Sequence, residues 1–86
     1  MRKIEREILA ALHAGRAWQN GNTRVTADGH VYLHENLIAT WCNGELDVNH
    51  TTLARWPTVT TMSRLRALGA DVCRRDFTPY LDGQIV

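Results

Sequence analysis

The chain has 86 residues, 44% hydrophobic and 22% charged, the balance of one soluble globular domain (residues 1–86) with a modest core. A net charge of +1 excludes a global basic field of the kind that by itself argues for nucleic acid. No run approaches a membrane span, Cys42 and Cys73 make no disulfide framework, and the charged start Met1-Arg2-Lys3-Ile4-Glu5-Arg6-Glu7 lacks an apolar signal segment, so a reduced cytosolic protein is expected.

Residues 3–13 predict an amphipathic helix: Ile4, Ile8, Leu9 and Leu12 share a stripe, Glu5 and Glu7 suit the helix dipole, and Gly15 is the stop. Gln19-Asn20-Gly21-Asn22 reads as a polar turn. Residues 23–49 then predict a three-stranded antiparallel meander. Asn43-Gly44 is a strong two-residue hairpin signal, because both residues tolerate positive φ, and it pairs Cys42 with Glu45 and Trp41 with Leu46. A three-residue loop His34-Glu35-Asn36 pairs Leu33 with Leu37 and makes Asn36 left-handed; Ala27-Asp28-Gly29 follows the same rule with Gly29 left-handed. One face then carries Val25, Val31, Leu33, Leu37, Ala39, Trp41, Leu46 and Val48. The outer face carries Arg24, Thr26, His30, Tyr32, Ile38, Thr40, Cys42, Glu45, Asp47 and Asn49. A one-residue slip would expose the apolar set, so the register is specified.

Residues 50–57 read as irregular with one short helical turn at most, and Pro57 pushes Trp56 to an extended conformation. Thr58 or Thr60 caps a second helix over residues 59–68, with Met62, Leu65 and Leu68 as its apolar side and Gly69 as its stop. Residues 71–81, Phe77 included, read as a second hairpin, and Asp82-Gly83 turns the chain into residues 84–86. The order α-β-β-β-α-β-β predicts a compact two-layer α+β domain, an antiparallel sheet packed against two helices.

Catalysis finds little support in these residues. His30, Cys42 and Asp47 share a sheet face, but no helical H-x-x-x-H or C-x-x-C fixes a metal geometry. Ser63, the single serine, has no nucleophile elbow, and a Cys42–His30 or Cys42–His50 pair is unconstrained. Glu45 and Asp47 suit solubility and edge protection, and no phosphate-binding glycine loop is present. A small metal-dependent or thiol enzyme is therefore the last of the alternatives; no catalytic residue, metal or cofactor is expected.

Binding has more to stand on. Nine of the ten cations are arginine, which suits carboxylate and phosphate contacts, although a GC-rich genome gives the same bias. Residues 51–86 sum to +2 and residues 1–50 to −1. Thr60, Thr61, Arg64 and Ser63 could line an exposed side of the second helix, with Arg66, Arg74 and Arg75 extending it, in a form suited to phosphate. The competing reading, somewhat favoured, makes the threonines caps and the arginines a solvated face. Trp56, like Trp18, either packs over the sheet, the favoured reading in a small domain, or offers an aromatic anchor to a partner. His30 and Tyr32 add a second contact surface on the outer sheet face.

The segments Val31-Tyr32-Leu33-His34-Glu35-Asn36-Leu37-Ile38-Ala39 and Trp56-Pro57-Thr58-Val59-Thr60-Thr61-Met62-Ser63-Arg64-Leu65-Arg66-Ala67-Leu68-Gly69 resemble small accessory proteins of T7-like and other tailed bacteriophages. The N-terminal helix, Gly21-Asn22-Thr23 and Tyr80-Leu81-Asp82-Gly83 extend the likeness over most of the chain; relatives tend to carry Gly where this chain has Glu35. The resemblance brings no catalytic residues. It implies a viral protein of the host bacterial cytoplasm that binds and modulates or inhibits a host macromolecule, in takeover or against host defence. A host bacterial protein is the leading partner and nucleic acid the second. No membrane partner is expected, and a strand edge leaves room for a homodimer.

Overall fold

A computed structural model describes residues 2–76 and 78–86. Met1 in the charged start and Phe77 in the predicted hairpin lie outside the described residues. Helix α1, Lys3–Ala14, buries Ile8, Ala11 and Leu12. It stops at Gly15, whose left-handed φ of 66° lets the Arg16 N–H reach the Ala11 carbonyl. A five-stranded antiparallel sheet follows in chain order: β1 Trp18–Asn20, β2 Thr23–Val25, β3 His30–Leu33, β4 Asn36–Cys42 and β5 Glu45–Val48. Helices α2, His50–Arg55, and α3, Val59–Ala67, lead to a separate sheet of β6 Val72–Arg75, β7 Thr78–Leu81 and β8 Gln84–Ile85.

The class is α+β, as the sequence predicts. Its details depart from the expected order: a third helix appears, the large sheet has five strands, and the C-terminal strands form a sheet of their own. Helix α1 meets β1, β2 and α3; α2 meets β4 and β7; α3 meets β4 and β6. The helices thereby join the two sheets, and one apolar cluster runs from Ile8 and Leu12 through Val31 and Ala39 to Leu53, Leu65 and Val72.

The turns decide the register, and two of the three expectations hold. Asn43 and Gly44 take φ of 52° and 80°, and Cys42 faces Glu45 while Trp41 faces Leu46. Gly29 takes φ 91° at the end of a three-residue loop closed by the Thr26 N–H on the His30 carbonyl. The third loop is one residue shorter than expected. His34 and Glu35 are both left-handed, at 51° and 64°, so Leu33 faces Asn36 and Tyr32 faces Leu37. Glu35 therefore occupies a left-handed conformation that glycine adopts more readily.

A bulge between Val31 and Tyr32 then absorbs one residue of β4, and pairing resumes at Val31 with Ala39. The absorbed residue is Ile38, which turns inward and is 2% exposed, while Leu37 is half-buried. Ile38 is thus a core residue and not part of the outer face. Burying it contributes about 1.5–3 kcal/mol, comparable to the cost of one left-handed residue in the turn.

Three smaller corrections share a cause in local hydrogen bonding. Gln19 and Asn20 belong to strand β1, pairing with Arg24 and Thr23, and their exposed polar side chains gave no strand signal. Residues 23–49 hold four strands, β2 to β5, where three were expected. Residues 50–55 are helical because the Asn49 side chain accepts the Thr52 N–H at 3.0 Å, an N-cap where a strand residue was expected. Helix α3 matches its prediction: Thr58 caps it, and Met62, Leu65 and Leu68 are buried.

Gly29 is the one glycine at which an added Cβ would meet other atoms. A Cβ there would lie 2.2 Å from the Trp41 carbonyl oxygen, a backbone atom that cannot move without breaking the Trp41 N–H bond to the Gly29 carbonyl. Gly29→Ala should therefore destabilise the protein by on the order of 2 kcal/mol or more, read as a lower urea midpoint.

Candidate functional site

Helix α3 sorts the arginines of the sequence prediction. Residues two apart on an α-helix lie about 160° from each other, so Arg64 and Arg66 cannot share a face, nor can Met62 and Arg64. Arg64 turns inward toward α1 and is 6% exposed. Its Nη1 donates to Glu5 Oε2 at 2.9 Å, and the Ser63 hydroxyl donates to the same oxygen at 2.7 Å. Arg64 and Thr61 are therefore not surface contacts, correcting the expected exposed side. The Thr61 N–H and hydroxyl both engage Thr58 Oγ1, so Thr61 completes the cap. Thr60 is half-buried beside it.

The opposite flank of α3 meets β6. Alternation along β6 sends Val72 and Arg74 to one side of the small sheet and Cys73 and Arg75 to the other. Val59, Met62, Arg66 and Arg74 line a cleft of about 160 Å³ there. Met62 is buried, whereas Val59 is 65% exposed. Arg66 is held by its Nε–H on the Val72 carbonyl at 3.0 Å, and Arg74 by its Nη1 on the Pro57 carbonyl at 2.9 Å. Beside the cleft, Trp56 ends α2 with 43% of its surface open, and the Arg55 guanidinium sits 5.2 Å from its ring centroid. The packed position favoured for Trp56 is only partly realised; Trp18, by contrast, packs against the core.

The remaining predicted residues lie elsewhere. Arg75 stacks over Tyr80 at 5.5 Å on the far side of the small sheet. On the outer face of the large sheet, Arg24 stacks over Tyr32 at 4.3 Å and pairs with Glu35 at 3.1 Å, and the His30 ring meets the Tyr32 edge. That cluster is internally satisfied. A depression of about 400 Å³ at the end of β1 and β2 has Arg24 as its single charged lining residue, and Arg24 is already committed to Tyr32 and Glu35. Among the described residues no group of three His, Cys, Asp or Glu is placed to hold a metal ion, and no helix is long and apolar enough to cross a membrane.

Sequence reasoning named Trp56, Arg66 and Arg74 but missed Val59, Met62 and Arg55. Helical spacing carries the signal: Val59, Met62 and Arg66 fall at i, i+3 and i+7. The same rule puts Glu5 in the apolar stripe of Ile8 and Leu12 at i, i+3 and i+7, where it is 4% exposed.

The fold and this cleft define a small α+β protein that exposes a tryptophan before α3, a valine at its start and tethered arginines along its flank and on β6. The chain belongs to the Kyanoviridae Gp96 protein family, whose model matches residues 1–85. It is accordingly a small bacteriophage protein, of a cyanophage family, and the match does not reach T7-like phages in particular. No curated protein and no solved structure matches the chain.

Burial opposes ionisation of Glu5, but the hydrogen bonds from Ser63 and Arg64 outweigh it and hold the carboxyl below its ordinary value of 4.5. A depressed folded-state value means the carboxylate's contribution is complete above 4.5 and is lost as pH falls through the lowered value. The stability gap between the wild type and Glu5→Gln should be constant above about pH 5 and narrow below it, in urea titrations across pH. Arg64→Met, which strands the buried carboxylate, should cost about 3–5 kcal/mol; adding Glu5→Leu should restore most of that loss.

Proposed function

We propose that this phage protein is a non-enzymatic accessory protein that acts in the host cytoplasm by binding, and thereby modulating or inhibiting, a host bacterial protein. The observation that carries the reading is the pairing of Trp56 and Val59, two of the three large apolar residues that are exposed among those described, with Arg55, Arg66 and Arg74 around them. Tryptophan and arginine are the residues that most often dominate binding energy at protein interfaces. In a small protein a tryptophan left outside the core forgoes stabilisation that a partner's surface would supply.

The division of the arginines bears on the nucleic-acid alternative. Arg64 is consumed in the interior and Arg75 faces away from Arg74, so no continuous basic track runs along α3 and the small sheet. Sequence-independent duplex binding draws on many phosphate contacts at once. A few separated arginines near an exposed tryptophan and valine suit a protein surface better.

Tagged protein incubated with host lysate should retain a protein partner after nuclease treatment. Trp56→Ala should weaken that retention at least tenfold, about 1.4 kcal/mol or more, with the fold intact by circular dichroism. Bound material that disappears with nuclease, or retention indifferent to Trp56, would overturn the reading.

A further inference from the structure

We propose that strand β8 is a self-association edge, through which two copies of this chain pair antiparallel about Ile85 and join their small sheets into one continuous sheet. The proposal stands on a different residue from the binding reading above. Ile85 is the third exposed large apolar residue, 68% open, and it lies on β8 rather than at the connection between α2 and α3.

Antiparallel alternation identifies the free backbone groups. The Val86 N–H donates to the Pro79 carbonyl at 3.2 Å, so the next pair along, Tyr80 with Ile85, is the unbonded kind, and Leu81 with Gln84 is bonded. The Ile85 N–H and carbonyl therefore point away from β7, to the open side of the small sheet, and no described residue bonds to either. A two-fold axis beside Ile85 lets each copy donate its Ile85 N–H to the Ile85 carbonyl of the other.

The side chains fit the same operation. Cys73 faces Tyr80 and Tyr80 faces Ile85, so the three form one row across the far side of the small sheet. In the dimer that row runs on through the second Ile85, Tyr80 and Cys73, and the two isoleucines cover each other. Cross-strand pairs of aromatic and β-branched residues are those that stabilise a sheet. Next to the axis, Gln84 meets Val86 of the other copy, an uncharged pair. Arg75 and Asp76, on β6 and in its turn, stand two strands away from β8. The Arg75 side chains of the two copies are then about 24 Å apart, well beyond the screening length at physiological salt. Asp82, in the turn before β8, is carried by the two-fold to the opposite end from its copy.

The other edges do not offer this. β5 carries Glu45 and Asp47, and β6 carries Arg74 and Arg75; charges that meet their own copies at a two-fold repel. β1 is uncharged, but the residues it leaves exposed, Gln19 and Asn20, are polar and well served by water. Among the described edges, β8 alone combines free backbone groups, no charge and an exposed apolar side chain, the composition that recruits another strand. A second copy supplies the matching N–H and carbonyl in register and an isoleucine to cover the isoleucine.

Sedimentation equilibrium of the full chain from micromolar to millimolar concentration should show a reversible monomer–dimer equilibrium. Ile85→Lys alters a side chain open to solvent and sets two ammonium groups on the axis. It should weaken dimerisation at least tenfold with the fold intact by circular dichroism, whereas Ile85→Val and Gln19→Lys should dimerise like the wild type. In amide hydrogen exchange the Ile85 N–H should gain protection as concentration rises, while the Gln84 N–H, already bonded within the hairpin, should not. A chain monomeric throughout, a dimer that survives Ile85→Lys, or a dimer dissolved by Gln19→Lys would overturn the proposal. So would a monomeric chain whose capture of a host protein is lost in Ile85→Lys, since the edge would then belong to a partner's strand.

Discussion

The buried pair of Glu5 and Arg64 is the constraint on which the arrangement of this molecule turns. The two residues are 59 positions apart and bring α1 against α3 through charge-assisted hydrogen bonds, with Ser63 adding a second donor to the same carboxylate oxygen. Taking both ions out of water is costly, and the Arg64 Nε finds no partner among the described residues. The gain lies in orientation as much as in energy. Glu5 accepts a hydrogen bond in only one rotational setting of α3, the one that sends Val59 and Arg66 to the flank facing β6. An apolar contact in its place would tolerate a range of settings; a buried carboxylate does not.

The large sheet shows a comparable rule at the level of turns. Its register is set by backbone conformations that specific residues allow, and where those residues are Asn, Asp or Gly the sequence is legible. Asn43-Gly44 and Gly29 were readable for that reason. The loop at His34-Glu35 was not, because two ordinary residues adopt left-handed conformations there and local preference argued against both. What decides that loop is remote: the bulge opposite Val31 and Tyr32 that admits Ile38 to the core. Strand β1 was hidden for a different reason, since half-buried Trp18 followed by exposed Gln19 and Asn20 has no alternation to read.

The candidate site was legible in its residue types and illegible in its partition. Composition pointed to arginines and a tryptophan in the second half of the chain; Arg66 and Arg74 do line one cleft, and Arg74 is bonded to the residue that follows Trp56. Treating Arg64, Arg66, Arg74 and Arg75 as one surface ignored two periodicities that the sequence itself contains. The helical period separates Arg64 from Arg66, and the strand period separates Arg74 from Arg75. Periodicity alone would not have said which arginine of each pair goes inside or away. That choice needed Glu5 on α1 and Tyr80 on β7, and both contacts are long-range or cross-strand.

The same local chemistry explains why Trp56 stays outside. Pro57 disfavours helix at the residue before it, and Trp56 ends α2 with φ −134° and ψ 66°. Thr58 then starts α3 by accepting the Thr61 N–H, so only Pro57 separates the end of one helix from the cap of the next. Both neighbours are fixed in the backbone, Pro57 by its ring and by the Arg74 bond to its carbonyl, which holds the Trp56 main chain at the end of α2. The residues that cap and stop these helices therefore also set the backbone from which Trp56 and Val59 project. On the binding reading proposed above, a surface held this way has met part of the ordering cost of association in advance.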